Sequence, residues 1–372
     1  MAQENKLKKV AVAMSGGVDS SVAAALMKEQ GYEVEGVTMC FNIPHTAGRR
    51  PSCCGVEGIQ DARSAARCLA IPHHVLDFSG DIEDLIIKDF IQEYCRGRTP
   101  NPCVRCNQHL KFGTLQALVK QLGMDYLATG HYARIDRDEQ TGRFRLRKGI
   151  DGNKDQSYFL YGLAEDALPF ILFPLGDLTK TEVRALARRF GLPTSEKPES
   201  QDICFVPASG YKTFIREREG EDAFIPGPFK NPQGEVIGQH QGIARYTIGQ
   251  RDKLGIALGV PVYVYRIAPE ENAVYVGPEE YLYAEGLQAG QMKYLLPVIP
   301  ERTVEVQARI RYNAPDVKGF LTVLESGTCR LVFDKPQKSV TPGQSVVLYQ
   351  GDTVLGGGVI ETSLRPAHPV SS

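Results

Sequence analysis

The sequence predicts an α/β protein, with a doubly wound parallel sheet at the N-terminus, then a small linking domain and a C-terminal β-barrel. Between residue 9 and about residue 130, short apolar runs alternate with stretches of helix length, which is typical of βαβ units with right-handed crossovers. From about residue 225 onward, glycine and proline separate short β-rich runs, as in small barrels. Because 372 residues exceed one ordinary core, we expect domains over 1–210, 211–284 and 285–372.

The individual elements follow from the spacing of apolar residues and from turn residues. Strands are predicted over 9–14, 33–39, 72–78 and 125–130, and helices over 20–30, 59–69, 81–94 and 110–122. Thr179 and Glu182 form a capping box that opens a later helix, and Gly191 and Pro193 end that helix. The β-rich half contains runs over 261–267, 273–277, 303–312, 329–333 and 345–349.

Composition and charge restrict the class of protein. No run approaches the roughly 18 apolar residues of a membrane span, and the polar N-terminus has no apolar signal core, so we expect a cytoplasmic protein that does not bind membranes. Basic and acidic residues nearly cancel, 43 against 44, so any RNA-binding surface has to be a local patch. Nine cysteines without an export signal indicate thiols used for chemistry or metal binding rather than a disulfide framework.

A glycine-rich turn follows the first predicted strand. Ser15-Gly16-Gly17-Val18-Asp19-Ser20 stands directly after an apolar run and before a helix. The glycines allow a tight turn, and the helix N-terminus directs unpaired amides and a positive dipole at the same place, so the segment predicts a phosphate loop. It is not a Walker loop, because no Gly-Lys-Ser/Thr follows. Asp19 is a candidate metal or water ligand, with a role as the N-cap of the helix equally open.

Ligands of parallel sheets bind at the carboxyl ends of the strands. Three strand ends, at Ser15, Met39 and Gly130, fall at that edge. The sequence therefore predicts a nucleotide-phosphate site formed by the glycine-rich turn and its two neighbours in the sheet.

Two cysteine motifs lie far apart in the chain. Cys103 and Cys106 stand in the run 101–107, predicted as a loop between two helices, and Cys204 stands in the run 200–205. A single CxxC is used by zinc, redox and iron–sulfur sites alike, so alone it does not decide the chemistry.

Taken together, these motifs resemble one known family. The phosphate loop is similar to the SGGxDS loop of ATP pyrophosphatases. With the cysteine motifs and the runs 129–132, 154–160, 248–251 and 309–312, the chain resembles the tRNA-specific 2-thiouridylases (MnmA/TrmU family) over nearly its whole length. That resemblance implies ATP-dependent thiolation of the tRNA wobble uridine, in which the C2 oxygen is adenylated and sulfur then displaces AMP.

The resemblance also implies cofactors, partners and site residues. ATP and Mg²⁺ would be used by the first domain, tRNA would be bound with help from the central domain, and a sulfur donor protein or sulfide would supply sulfur. Cys106 matches the nucleophilic or disulfide-forming cysteine, and Cys204 the sulfur-carrying one. The implied ATP-binding residues are Ala13, Met14, Ser15, Gly16, Gly17, Val18, Asp19, Ser20, Met39 and Gly130. The implied tRNA-binding residues are Asn101, Pro102, Cys103, His131, Lys154, Asp155, Gln156, Arg311, Tyr312 and Gln344.

One residue departs from the family pattern, because persulfide-type members carry Asp where this chain has Cys103. Three thiols, Cys103, Cys106 and Cys204, can hold a 4Fe–4S cluster with one iron open to sulfide. We favour this cluster over a persulfide on Cys204. Zinc is less favoured, because it would need a fourth protein ligand and only His109 and His131 are candidates.

Two other functions explain part of the sequence. Another ATP pyrophosphatase, forming an amide or lysidine, would use the phosphate loop but would not need the three cysteines. A non-enzymatic Fe–S or RNA-binding protein would not need the phosphate loop. The alternating Arg143, Arg145 and Arg147 share one face of a predicted strand, which indicates either a phosphate-binding stripe or a solvated face.

Overall fold

The computed structural model describes residues 7–43, 56–198, 203–256, 259–296, 302–324 and 326–365. They form two compact units, each made of several chain segments. The first unit contains Met1–Ile86, Cys103–Ala208 and Asp352–Val354, and the second contains Ile87–Pro102, Ser209–Gly351 and Leu355–Ser372. No helix in the described residues is long and apolar enough to span a membrane.

The first half of the chain alternates strands with helices, as predicted. Its elements are β1 (Lys9–Ala13), α1 (Val18–Glu29), β2 (Glu33–Cys40), α2 (Val56–Cys68), β3 (His73–Asp77), α3 (Ser79–Ile82), α4 (Lys88–Cys95), α5 (Pro102–Arg105), α6 (Gln116–Gln121), β4 (Tyr126–Thr129), β5 (Ala133–Arg137), β6 (Phe144–Lys148), β7 (Ile171–Leu172) and α7 (Lys180–Arg189). Wide π-type turns over Glu83–Ile87 and Cys106–Leu115 continue the helices beside them.

The first unit is built on a parallel sheet of five strands in the order β3-β2-β1-β4-β7. Helix α1 connects β1 to β2 and buries a face that includes Val22, Ala23 and Met27. Gly31, in the left-handed region at φ +86°, ends that connection. The capping box of α7 is present, with the Thr179 hydroxyl and the Glu182 carboxylate each bonded to the other's backbone N–H. The predicted doubly wound fold is confirmed.

The second half of the chain is rich in strands. Its elements are α8 (Tyr211–Glu219), β8 (Gly227–Lys230), β9 (Val236–His240), β10 (Tyr263–Ala268), β11 (Ala273–Gly277), β12 (Tyr283–Tyr294), β13 (Thr303–Arg309), β14 (Val317–Val323), β15 (Cys329–Lys338), β16 (Ser345–Gln350) and β17 (Thr353–Leu364).

Strands β8 to β11 form a small sheet in the order β10-β11-β8-β9. The six strands β12 to β17 form a barrel in the order β12-β15-β14-β13-β16-β17, which closes because β12 also pairs with β17. Closure removes the exposed edges of the sheet. Alternate residues such as Leu321, Leu331 and Leu348 fill the barrel interior. The predicted linking domain and C-terminal barrel are therefore present in the fold.

Candidate active site

The glycine-rich turn lies at the carboxyl end of β1, the central strand of the parallel sheet. Strand order reverses between β2, β1 and β4, which makes the end of β1 a topological switch point, where open α/β sheets bind ligands. Helix α1 begins at Val18, and Gly17 precedes it without a side-chain cap. The first-turn amides of α1 therefore have no partner within the helix and remain available to an anion.

Gly16 is required by the geometry of this turn. Its φ is +75°, and a Cβ atom there would lie 2.1 Å from the carbonyl oxygen of Gly58 in α2. Any side chain would therefore strain the backbone and force the turn away from α2. The Ser20 hydroxyl closes the turn by accepting from Ser15 N at 3.2 Å and lying 3.2 Å from the Gly17 carbonyl.

Gly130 follows β4 and packs against the start of α1. A Cβ atom at this position would lie 2.7 Å from Ser20 N and 2.8 Å from the Asp19 carbonyl carbon. The predicted residue Gly130 thus lies against Asp19 and Ser20 of the glycine-rich turn. Met39, near the end of β2, belongs to the neighbouring strand, in register with Leu76.

The carboxylate of Asp19 is held by two side chains from distant parts of the first unit. Lys180 Nζ donates to it at 2.7 and 2.8 Å, and the Tyr132 hydroxyl donates at 2.8 Å. The suggested N-cap role is wrong, because Asp19 is the second residue of α1 and Gly17 occupies the cap position. Asp19 instead presents a carboxylate, paired with a cation, beside the phosphate loop.

Sequence reasoning missed two lysines at this loop. Lys180 is the first residue of α7, a position that the helix dipole makes unfavourable for a cation. Lys197 Nζ donates to the Gly16 carbonyl at 3.1 Å and pairs with Asp61. The unfavourable placement of Lys180 in the first turn of a helix was the one signal in the sequence that this lysine has another use.

Cys103 and Cys106 lie in helical structure, which corrects the prediction of a loop. Cys103 is in α5, and Cys106 begins the wide helical segment that follows. Pro102 starts α5, where its fixed φ suits the first helical turn. A spacing of three residues puts both thiols on one side of the helix. The Asn107 amide donates to the Phe159 carbonyl at 3.1 Å and so anchors the second segment.

Cys204 lies just after residues 199–202, which the structure does not describe. Ser200, Gln201 and Asp202 of its motif therefore lie outside the described residues. Cys103 is exposed, whereas Cys106 and Cys204 are half-buried. Among the described residues, no group of three or more His, Cys, Asp or Glu side chains is placed to hold a metal ion. The seven described cysteines form no disulfide. The three thiols therefore do not form a ready cluster site in this arrangement.

His131, predicted to contact tRNA, is half-buried in the first unit. Its Nδ1 lies 2.7 Å from the Thr129 hydroxyl, and its ring packs against Phe112 and Phe173. Burial, together with the nearby charge of Lys111, lowers the pKa of His131 well below 6.5. The imidazole is therefore neutral at pH 7, and it can serve RNA as a hydrogen-bonding group but not as a cation.

Two other predicted tRNA contacts take part in the fold. Asp155 is 3% exposed, and its carboxylate accepts from the amides of Gly149 and Ser157. Gln156 accepts from Tyr132 N at 3.0 Å through its side chain. These contacts fix the segment that begins at Lys154, whose contact with RNA stays a prediction.

Gln344 is engaged within the second unit. Its amide donates to the carbonyls of Thr99 and Pro100 at 3.0 and 3.2 Å. Those residues directly precede Asn101 and Pro102, so Gln344 fixes the backbone leading to the cysteine helix. Arg311 is exposed and Tyr312 half-exposed, in the turn after β13.

The alternating arginines are neither a phosphate-binding stripe nor simply solvated. Arg145 and Arg147 on β6 pair with Asp136 on β5, and Arg147 also pairs with Asp352. The Nε atom of Arg143 lies 3.6 Å from the Oε1 atom of Glu165. Because acidic partners neutralise these guanidinium groups, this face lacks the excess positive charge that binds phosphates.

Three protein-family models together match almost the whole chain. Residues 8–208 match a family described as "tRNA methyl transferase HUP domain", residues 212–278 match a "tRNA methyl transferase PRC-barrel domain", and residues 284–360 match an "Aminomethyltransferase beta-barrel domain". The "tRNA-specific 2-thiouridylase MnmA" of Carboxydothermus hydrogenoformans is 49% identical, over 96% of this chain and 98% of that protein. The protein of that name from Geotalea uraniireducens is 47% identical over the full length of both chains. This chain belongs to the tRNA-specific 2-thiouridylase family.

Similar solved structures are more distant than these 2-thiouridylase relatives. An NMN synthetase from Francisella tularensis has 19% identity and a TM-score of 0.33, covering 53% of this chain and 67% of that one. A 4-thiouridine synthetase in complex with RNA and ATP has 16% identity and a TM-score of 0.32, covering 56% and 50%.

Proposed function

We propose that this protein is an ATP-dependent tRNA uridine 2-sulfurtransferase that acts on the wobble uridine in the cytoplasm. The observation that carries the proposal is the identity of 47–49% to 2-thiouridylases over the whole chain. The phosphate loop at the switch point of the sheet supports it independently, because it suits chemistry on ATP. Methyl transfer, which the name of the matching family suggests, would not need a pyrophosphate loop.

The first half-reaction is assigned to the phosphate loop. The C2 oxygen of uridine attacks the α-phosphorus of ATP, the bond to the β-phosphate oxygen breaks, and pyrophosphate leaves. Amides of the loop and of the first turn of α1 stabilise the departing charge. Mg²⁺ suits this site, since it binds phosphate oxygens together with one or two carboxylates. Both oxygens of the Asp19 carboxylate contact Lys180 in this structure, so Mg²⁺ would be held mainly by the phosphates, and it would neutralise pyrophosphate charge.

The second half-reaction is assigned to the cysteines, with the sulfur as a persulfide on Cys204. The terminal sulfur attacks C2, and AMP leaves with the former C2 oxygen. The Cys106 thiolate then attacks Cys204 Sγ, so the persulfide bond breaks and its electron pair stays on the sulfur bound to C2. This step leaves a Cys106–Cys204 disulfide, which a thiol reductant reopens before a sulfur donor protein reloads Cys204.

A 4Fe–4S cluster on Cys103, Cys106 and Cys204 remains the alternative carrier. The three thiols do not form a metal-binding group among the described residues, which favours the persulfide. The base and backbone contacts proposed for tRNA are Asn101, Pro102, Cys103, His131, Lys154, Asp155, Gln156, Arg311, Tyr312 and Gln344.

The experiment follows both half-reactions in one mixture of protein, tRNA, ATP and a persulfide-generating donor. AMP formation reports adenylation, and retardation of tRNA in a mercury-containing gel reports 2-thiouridine. We expect the unaltered protein to give both products. Cys204→Ser should still form AMP but reduce thiolated tRNA to background, because a hydroxyl cannot carry the transferred sulfur.

Cys68→Ser is the matched control, since Cys68 is an exposed cysteine at the end of α2. It should give both products at the unaltered rate. Thiolation that survives Cys204→Ser would contradict the role of this cysteine. If no AMP forms with tRNA and sulfur present, the proposed function itself is wrong and a non-enzymatic RNA-binding role is favoured.

A further inference from the structure

Three basic side chains of the second unit lie close enough together for Arg245 and Lys253 to act electrostatically on Lys212. Lys212 is in the first turn of α8, Arg245 ends the short turn Ile243–Arg245, and Lys253 lies in the loop that follows. We call these residues the cationic cluster. None of the three forms an ion pair with an acidic residue in the part of the chain that the structure describes, whereas Lys230 in the same unit pairs with Glu271 at 2.6 Å.

Packing holds the cluster in place. Lys212 Nζ lies 5.9 Å from the centre of the Tyr211 ring and 5.8 Å from that of Tyr246. The Arg245 guanidinium stacks 4.4 Å from the centre of the Phe224 ring. Aromatic faces stabilise and orient cations, but they do not neutralise them. The positive charge therefore stays at this surface.

One polar atom of the cluster has no partner. Arg245 Nε is buried and makes no hydrogen bond among the described residues. A buried donor without an acceptor costs about 1–3 kcal/mol, so the fold holds Arg245 here at a cost in stability. The guanidinium group as a whole keeps its charge, and arginine binds phosphate well.

The fold bears an electrostatic and conformational cost at the same place. Burial, and then the charges of Arg245 and Lys253, lower the pKa of Lys212. The first turn of α8 contains no acidic residue, so the helix dipole adds to the positive field. Lys253 has a φ of +60°, which is unfavourable for a residue with a side chain. Binding of a polyanion would relieve the repulsion.

We propose that the cationic cluster binds backbone phosphates of the RNA substrate. This inference rests on the proposed function and names one place where the second unit holds tRNA. A single small anion would leave part of the cluster's charge uncompensated, whereas successive phosphates of an RNA strand can neutralise all three residues. The net charge of −1 for the whole chain makes such a local concentration of charge necessary for binding RNA.

The test measures tRNA affinity over a series of salt concentrations for Lys212→Met and Lys253→Met. Each lysine–phosphate contact contributes about one unit to the slope of log K against log salt. We expect each variant to reduce the slope by about one and to raise KM for tRNA, with kcat at saturating tRNA unchanged. Thermal stability should stay equal or rise, because repulsion within the cluster is removed.

Lys230→Met is the matched control, because this lysine belongs to the same unit but is neutralised by Glu271. For this control, the slope of log K for tRNA against log salt concentration should equal that of the unaltered protein. An unaltered slope in the Lys212 and Lys253 variants would overturn the inference, even if binding were weaker at every salt concentration. Failure of the unaltered protein to bind tRNA at all would instead refute the proposed function.

Discussion

At the scale of single residues, the main feature of the phosphate loop is the ion pair between Asp19 and Lys180. The Lys180 side chain is 12% exposed and the Asp19 side chain 31% exposed, so water screens the pair only in part. We therefore expect the lysine to keep the carboxylate from repelling a phosphate chain bound at the loop. The motif around Asp19 indicates this residue, but its partner Lys180 is 161 residues away in the chain, beyond the reach of any local pattern.

Lys180→Met should slow AMP formation about 10²–10³-fold, because an unneutralised Asp19 would disfavour ATP and the developing pyrophosphate charge. The measurement is tRNA-dependent AMP release under saturating tRNA, with thermal unfolding as a check on folding. Arg188→Met, on the same helix and paired with exposed Glu196, serves as the control and should keep the unaltered rate. A Lys180 variant as fast as that control would contradict the role given to this lysine.

At the scale of an element, the β5–β6 hairpin shows that the role of the alternating arginines depends on which residues the fold places beside them. The alternation of Arg143, Arg145 and Arg147 predicts a shared face, and the paired strand β6 provides it. What the pattern left open was the identity of the neighbours. Asp136 on β5 is adjacent through antiparallel pairing, and Asp352 is adjacent through pairing of Thr353 with Arg147.

The carboxylates that pair with the arginines of this hairpin make stability depend on pH. Burial raises the pKa of Asp352, but hydrogen bonds and charges from Arg147 and Arg134 outweigh burial and lower it below 3.8. A carboxyl with a lowered folded-state pKa stabilises the protein above its unfolded pKa. That stabilisation is lost as pH falls through the folded-state pKa.

Asp352→Asn should therefore lower the melting temperature at pH 7 by about 2–4 °C, the effect of about 1 kcal/mol after discounting for a side chain that is 38% exposed. The difference from the unaltered protein should shrink as the pH falls from 5 to 3. Calorimetric melting over this pH range measures it. Asp166→Asn, at an exposed position, is the control, and a difference that stays constant with pH would refute the assignment.

At the scale of the whole molecule, one chain combines a glycine-rich turn on a parallel sheet, three cysteines and the cationic cluster that we propose to bind RNA. The sequence motifs pointed to all three cysteines, but the structure does not bring them into a metal-binding group among the described residues. Cys103 is exposed near the start of its helix. A persulfide on Cys204 requires no such group.

Protein purified without oxygen should therefore contain less than about one iron per chain, and Cys103→Asp should still thiolate tRNA. Iron and acid-labile sulfide are measured together with the 2-thiouridine product, and removal of iron by a chelator should leave thiolation unchanged. About four irons and four sulfides per chain, lost in Cys103→Ala, would refute the persulfide route and assign sulfur transfer to a three-cysteine cluster.

The sequence by itself determined the local features: the alternation of strands and helices, the phosphate loop, the Thr179–Glu182 capping box and the thiouridylase motifs. Each of these features depends on residues that are close together in the chain, so residue periodicity and turn chemistry predict it. Only the tertiary structure decided that Cys103 and Cys106 are helical, that Lys180 neutralises Asp19 and that Gln344 holds the backbone of Thr99 and Pro100. It also decided that Arg145 and Arg147 are neutralised, whereas Lys212, Arg245 and Lys253 form no ion pair with an acidic residue that the structure describes. The reason is that burial and charge pairing depend on which residues the topology brings together. The partners of Asp19 and Gln344 are more than one hundred residues away along the chain.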